Sequence, residues 1–400
     1  MPHSTQEFIR KMPKSDLHLH LDGSLRLPTL IEIAQAENIS LPSFTEEGLN
    51  KLVFKKHYKN LEEYLCGFSF TVAALQTLEN LERVAYELAE DSFSDGVRYI
   101  EVRFAPQLHA AHATEICSVV QAVNRGLERA KKRLNANNPD PLDLPFEYGI
   151  ILCALRRFNR QMSPYYERLL NRTRERTLRH AYAHASFTLA KEAVKLRDTG
   201  LPVVGFDLAG EESGYPAVHH KTAFQYAHRH FLHKTVHAGE AYGPESIFQA
   251  LTECHANRIG HGTFLFSANS IQLKSIKDPD RYVEQLTEYI ANKRITIEVC
   301  PTSNLQTIPN FKTLNDHPIR QMLSAGLSVS IATDNRLISH TTLTRELQLI
   351  TKHLKLNPDQ LRHLILTGFK HCFFSAPYKQ KQAYVRHATT RYDQLASQIL

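Results

Sequence analysis

The sequence predicts an α/β chain folded as a (β/α)8 TIM barrel, with a helical insertion after the first strand and a helical C-terminal extension. Three observations carry that prediction. Short apolar runs of strand length alternate eight times with helical stretches, the pattern of parallel strands joined by helices. No linker or low-complexity break interrupts the 400 residues, a length that one barrel domain can fill. An open doubly wound sheet would display a Gly-rich dinucleotide fingerprint after an early strand, and the sequence has none.

The first strand lies in Ser15-Asp16-Leu17-His18-Leu19-His20-Leu21-Asp22-Gly23, where apolar and polar residues alternate. A helix is expected over 27–36, with Pro28 close to its start, then a polar stretch over 37–47. Leu61, Tyr64, Leu65 and Phe68 recur at the i, i+3, i+4, i+7 spacing of a helix. A longer helix is expected over 72–94, with Gly96 just past its end. The second strand, 97–106, is stopped by Pro106, and a helix over 115–134 leads through a Pro- and Asn-rich loop to strand three, 147–155. A long polar helical region then runs to Arg197, where Asp198-Thr199-Gly200 breaks it.

Strand four, 202–208, is a continuous apolar run of the kind buried on both faces. Helices over 221–230 and 243–254 bracket strand five, 234–237, and lead to strand six, 258–261. A helical stretch to 292 precedes strand seven, 295–299, and a helix over 318–325 with Gly326 as its stop precedes strand eight, 328–333. The remaining chain reads as helical and polar.

Composition narrows the function classes. The first residues contain no apolar signal segment, and no run approaches the roughly 20 apolar residues that span a membrane, so the chain is expected to be soluble and cytoplasmic. The net charge is +7, but the basic residues are dispersed, as over 168–179, where Glu175 interrupts them. That dispersion argues against nucleic acid as a partner. Six cysteines without C-x-x-C spacing point to reduced thiols and away from a cysteine-ligated zinc.

In a barrel of this kind, chemistry collects at the C-terminal ends of the strands. Those ends read His18 and His20, then Gly210, then His237 with Glu240, then His261, then Asp334 with Asn335. Side chains at i and i+2 of a strand share a face, so His18 and His20 aim two imidazoles at one point. Histidines and acids at five strand ends are the wrong residues for a packed barrel core. Three histidines and an aspartate can bind one zinc and leave room for a water, whose pKa the metal lowers toward neutrality. Glu240 lies one short loop beyond His237 and can protonate a substrate, and His261 can orient hydroxide. This is an apparatus for hydrolysis.

The sequence resembles the adenosine deaminases of the amidohydrolase superfamily over nearly its whole length. The resemblance rests on Pro13-Lys14, His18-Leu-His-Leu-Asp-Gly23, Glu101-Val-Arg-Phe-Ala-Pro106, Asp207-Leu-Ala-Gly-Glu211, His237-Ala-Gly-Glu240, Arg258-Ile-Gly-His-Gly262, Cys300-Pro-Thr-Ser-Asn304 and Thr333-Asp334. It implies one zinc ion held by His18, His20, His237 and Asp334. It implies Glu240 as the proton donor to N1 of a purine and His261 beside the attacking hydroxide. It also implies the Gly210 N–H at N3, Asp22 on the ribose 5′-hydroxyl, and Leu61, Tyr64, Leu65 and Phe68 as a hydrophobic gate over the nucleoside.

One motif departs. The family's more familiar Thr-Asp-Asp-Pro is Thr333-Asp334-Asn335-Arg336 here. An asparagine amide donates without a shifted pKa, so the contact to N7 can survive. A carboxylate at Asp22 suits a hydroxyl and repels a phosphate, and related adenine deaminases tend to carry Glu there. The expected partners are therefore water and a small purine nucleoside, adenosine or 2′-deoxyadenosine. A 5′-modified adenosine such as aminodeoxyfutalosine, or adenine itself, is the alternative. Two other classes are a non-catalytic zinc- and nucleoside-binding relative, which has no need of Glu240 and His261, and a two-metal amide or ester hydrolase. Many of the latter carry a bridging lysine, and no lysine stands in Asp207-Leu-Ala-Gly210 at the end of strand four.

Overall fold

The computed structural model describes residues 3–172 and 178–400. Its centre is one eight-stranded sheet in chain order: β1 (Lys14–His20), β2 (Val97–Phe104), β3 (Glu147–Leu155), β4 (Val203–Ala209), β5 (His233–Ala238), β6 (Arg258–His261), β7 (Thr296–Val299) and β8 (Ser328–Ile331). Every neighbouring pair is parallel. Just beyond β8 the sheet closes on itself: Leu19 bridges Asp334, the His20 N–H donates to the Asp334 carbonyl at 2.8 Å, and the Asp334 N–H donates to the His18 carbonyl at 2.8 Å. Three metal-ligand candidates, His18, His20 and Asp334, thus sit on the seam itself. The expected barrel is the observed one.

Helices alternate with the strands, and their ends follow from local chemistry. The helix Leu27–Ala36 starts with Pro28 in its first turn, where a missing N–H costs nothing. The helix expected over 72–94 is two helices, Phe68–Ala74 and Leu78–Ser94. Leu75 leaves helical geometry, and the Thr77 hydroxyl accepts from the Asn80 N–H to start the second, a capping arrangement that competes with continuation. The stripe at 61–68 is likewise shared between Leu61–Leu65, capped by Asn60, and Phe68–Ala74, with Gly67 between them. Helices His3–Lys11 and Glu46–Leu52 were not expected; both are short, and the second lies partly in the stretch that reads as polar.

The polar helical region before Arg197 appears as Pro164–Arg172 and Leu178–Asp198, and its segment 173–177 lies outside the described residues. At the C-terminus, Leu343–Leu354, Pro358–His371 and Tyr378–Ile399 form the helical extension. The helix Pro358–His371 packs across β8 and β1, so the extension covers the outside of the seam. All six cysteines are free. Among the described residues, no helix is long and apolar enough to cross a membrane.

Candidate active site

The strand ends deliver a cluster of buried donors. His18 and His20 come from β1, His237 from β5, His261 from the last position of β6, and Asp334 from the turn after β8. His261 and Asp334 take left-handed backbone geometry, φ 65° and 61°. That conformation is uncommon for residues with a side chain and clusters at functional sites. Gly260 is required beside them, because a Cβ there would lie 2.9 Å from His18 Cε1.

His20 Nε2 lies 3.2 Å from His237 Nε2 and 3.5 Å from Asp334 Oδ1, and His18 Nε2 lies 3.5 Å from the same oxygen. Ligand atoms on a tetrahedral zinc, bonded at about 2.0–2.1 Å, stand about 3.3–3.4 Å apart. The spacing fits a metal. His18 Nε2 is buried with no hydrogen-bond partner, an orphan that a cation would satisfy. His18, His237, His261 and Asp334 all present ligand atoms within 4.8 Å of one another, so five candidate donors converge where four are expected.

The hydrogen-bond network separates them. His18 Nδ1 lies 2.7 Å from Glu298 Oε2, and His237 Nδ1 lies 3.1 Å from Asp207 Oδ2. Each carboxylate accepts a hydrogen bond from Nδ1–H and leaves the Nε2 lone pair of the neutral ring facing the cluster, the usual support of a metal-binding histidine. His261 is held the opposite way. The Ile319 N–H donates to His317 Nδ1 at 3.0 Å, so His317 carries its proton on Nε2 and donates to Asn304 Oδ1 at 3.1 Å. The Asn304 amide then donates to His261 Nδ1 at 3.1 Å. Neutral His261 therefore carries its proton on Nε2 and has no lone pair to offer a metal there. Burial holds His261 and His317 neutral, the first well below the usual histidine range and the second at about 4. This favours His20 over His261 as the fourth ligand.

Beneath the ligands lies a charged floor. Arg103 pairs with Asp207 at 3.0 Å and with Glu298 at 2.9 Å, and Arg258 pairs with Glu298 at 2.6 Å and with Glu101. Arg103 and Arg258 thus meet three buried carboxylates, Glu101, Asp207 and Glu298. Sequence reasoning assigned no role to Glu298, Arg103, Glu101, Arg258, Asn304 or His317. A usable signal was present: charged residues inside strands that are otherwise apolar are costly unless paired.

The cavity above the cluster has a volume of about 1010 Å³ and is lined by His20, Asp22, Gly210, Glu240, Leu61, Leu65 and Phe68, among others. Glu240 Oε1 lies 3.6 Å from His261 Nε2. Burial pushes the Glu240 carboxyl up to about 8, opposed by His237 and reinforced by Asp334. Burial pushes Asp22 up to about 7, and its Oδ1 has no partner. Gly210 has φ +91°, and a Cβ built there meets nothing closer than 3.9 Å; conformation, not crowding, accounts for the glycine.

Leu61, Leu65 and Phe68 face the cavity, with the Phe68 ring 6.4 Å from that of His20. Tyr64 and Asn335 are not part of the lining. The Asn335 amide donates to Tyr64 Oη at 2.8 Å, and Tyr64 Oη meets Ser339 Oγ at 2.8 Å. Tyr64 therefore ties the inserted helices to the turn after β8, whereas the stripe had it beside its apolar neighbours over the ligand.

Residues 13–385 match the family model described as adenosine deaminase. The chain is 35% identical over 379 residues to adenosine deaminase 1 of Streptomyces coelicolor, covering 94% of this chain and 86% of that protein. Among solved structures, an amidohydrolase from Burkholderia ambifaria with bound zinc superposes with a TM-score of 0.74 at 18% identity, covering 100% of this chain and 95% of the other. An Arabidopsis N6-mAMP deaminase superposes with a TM-score of 0.73 at 24% identity, covering 97% and 99%. At these identities the two structures speak for the fold alone.

Proposed function

Because the chain belongs to the adenosine deaminase family and is a hydrolase of C–N bonds in adenosine-like compounds, we propose that it deaminates adenosine and 2′-deoxyadenosine with one zinc ion. The observation that carries the proposal is the meeting, at one end of the barrel, of a metal-compatible donor cluster with a buried Glu240 next to His261.

His18, His20, His237 and Asp334 would hold the zinc, which supplies hydroxide at neutral pH by lowering the pKa of water. The chain does the rest. Glu240 gives its proton to N1 of the purine, which makes C6 electrophilic. The Nε2 proton of His261 points at the attacking oxygen and orients it toward C6. This is a donor's role: the Asn304 bond to Nδ1 leaves His261 no free lone pair with which to act as a base. The Gly210 N–H meets N3, and Asp22 accepts the 5′-hydroxyl, whereas Asn335, outside the lining and bonded to Tyr64, supports the turn after β8 instead of meeting N7. Leu61, Leu65 and Phe68 exclude water over the nucleoside. The Glu240 carboxylate, now without its proton, takes the proton of the oxygen added at C6 and passes it to the amino group. The C6–N bond breaks as C6=O forms, and ammonia leaves with a 6-oxopurine nucleoside remaining. The proton that water gave up restores Glu240.

Asp22 disfavours a 5′-phosphate, since the charged side chain acting on it is another carboxylate, Asp334. A second reading, a nucleoside enlarged at the 5′ position, is supported by the cavity volume of about 1010 Å³, at the upper end for sites that hold drug-sized ligands. The test is ultraviolet absorbance of the zinc-loaded protein with adenosine, 2′-deoxyadenosine, adenine, AMP and a 5′-modified adenosine. Turnover of the first two is expected. Activity confined to the 5′-modified compound would favour the second reading, and silence on all five would overturn both.

A further inference from the structure

Glu212 is buried and has no part in the mechanism above, yet its carboxyl collects five hydrogen bonds. Its Oε1 accepts from the Gly239 N–H at 2.8 Å and from the Ser246 hydroxyl. Its Oε2 accepts from the N–H groups of Glu240 at 3.0 Å, Ala241 at 2.7 Å and Tyr242 at 2.9 Å. Every one of these bonds is donated to it, so Glu212 acts here as an acceptor only.

The position of this carboxylate matters more than the count. Glu212 lies two residues beyond Gly210, in the loop after β4, and it binds four successive amides of the loop after β5, including that of Glu240 itself. Arg156, just past the end of β3, reinforces the joint: it donates to the Tyr215 carbonyl at 2.6 Å and the His237 carbonyl at 2.7 Å, and its Nη2 lies 4.0 Å from Glu212 Oε1. Under the proposed function, on which this step rests, Glu240 meets N1 and the Gly210 amide meets N3, two atoms on the same edge of one ring. Two loops must therefore hold a fixed spacing, and one side chain joins them.

We propose that Glu212 is a positioning residue that locks the loop carrying Glu240 to the loop carrying Gly210, at the spacing of a purine's N1 and N3. A misplacement of about 1 Å costs about 10²-fold in rate. Glu212→Gln tests this, because in either orientation its amide nitrogen faces a backbone N–H and pushes the loop away. The probes are adenosine, read as kcat/KM, and 1-deazaadenosine, which lacks N1, read as a competitive inhibition constant.

The expected result is a fall of about 10²-fold in kcat/KM for adenosine, with the constant for 1-deazaadenosine held within about 2-fold and metal content unchanged. Ser246→Ala, which removes one of the five bonds and leaves the fold less disturbed, should show the same split at about 5-fold. Equal weakening of both ligands in both variants would make Glu212 merely structural and overturn the proposal, as would an unchanged rate for adenosine. A wild-type protein that leaves adenosine untouched would instead overturn the functional reading, and the positioning role with it.

Discussion

Glu240→Gln separates catalysis from stability, because the two should move in opposite directions. The variant keeps the side chain's shape and loses its transferable proton. General acids of this kind are worth about 10²–10⁴-fold in rate, so deamination should fall by at least that lower figure while metal content stays near normal. Stability follows from burial. The unfolded chain gives up the Glu240 proton near the ordinary carboxyl value of 4.5, whereas burial holds it in the folded chain to about 8. Between those values the folded state binds more protons than the unfolded, so this residue makes wild-type stability fall as pH rises. Glutamine has no proton to lose. The advantage of the variant should therefore grow by about 1.4 kcal/mol per pH unit between pH 5 and 8, or about 1–2 °C in melting temperature per unit for a chain of this length. The assay is paired thermal melts of chelated wild type and variant at pH 5, 6.5 and 8. Chelation matters, since a cation at the histidines would stabilise the carboxylate and flatten the slope. A constant difference across that range would refute the claim that burial keeps Glu240 protonated. Loss of metal in step with loss of activity would make Glu240 structural.

The remaining predictions concern the pocket and the metal support. Asp22→Ala should raise KM for adenosine by at least about 10-fold, the worth of a hydrogen bond to a charged group, and leave KM for 5′-deoxyadenosine nearly unchanged; equal effects would remove Asp22 from the 5′ site. Glu298→Gln breaks the carboxylate support of His18 and should weaken metal binding by about 10–100-fold, read by competition with a chromogenic chelator. Unchanged affinity would mean that the 2.7 Å contact orients nothing that the metal uses.

The barrel was legible because its signal is repeated. Each strand is short, carries apolar residues and is followed by a helix, and errors at one boundary do not disturb the count. Strand-end positions for His18, His237 and His261 follow once the strands are found, since topology then puts distant residues at one mouth. What the sequence hid is whatever depends on a side chain's direction. The helix over 72–94 reads as continuous by apolar spacing, but Thr77 offers its hydroxyl to the Asn80 N–H, and a local cap outweighs a periodic stripe. Tyr64 shares helical spacing with Leu61, Leu65 and Phe68, yet its hydroxyl needs a partner when buried and finds Asn335 and Ser339. Periodicity sorts residues by apolar surface and is blind to that demand.

The same blindness explains the most consequential omission. Asn304 and His317 stand thirteen residues apart, far from His261 in the chain, and neither residue type at that spacing signals chemistry. Only the direction of each bond, begun by a single backbone N–H at Ile319, decides which nitrogen of His261 bears a proton. That choice determines whether the imidazole can ligate a metal, accept a proton or only donate one. Five converging donors are compatible with several ligand sets when counted by type or by distance. Followed along the hydrogen bonds, they divide: His18 and His237 are turned lone pair inward by carboxylates, and His261 is turned proton inward by an amide. The assignment of His261 as orienter and not ligand thus rests on the direction of the Asn304 bond, for which the motif Cys300-Pro-Thr-Ser-Asn304 gives no reason.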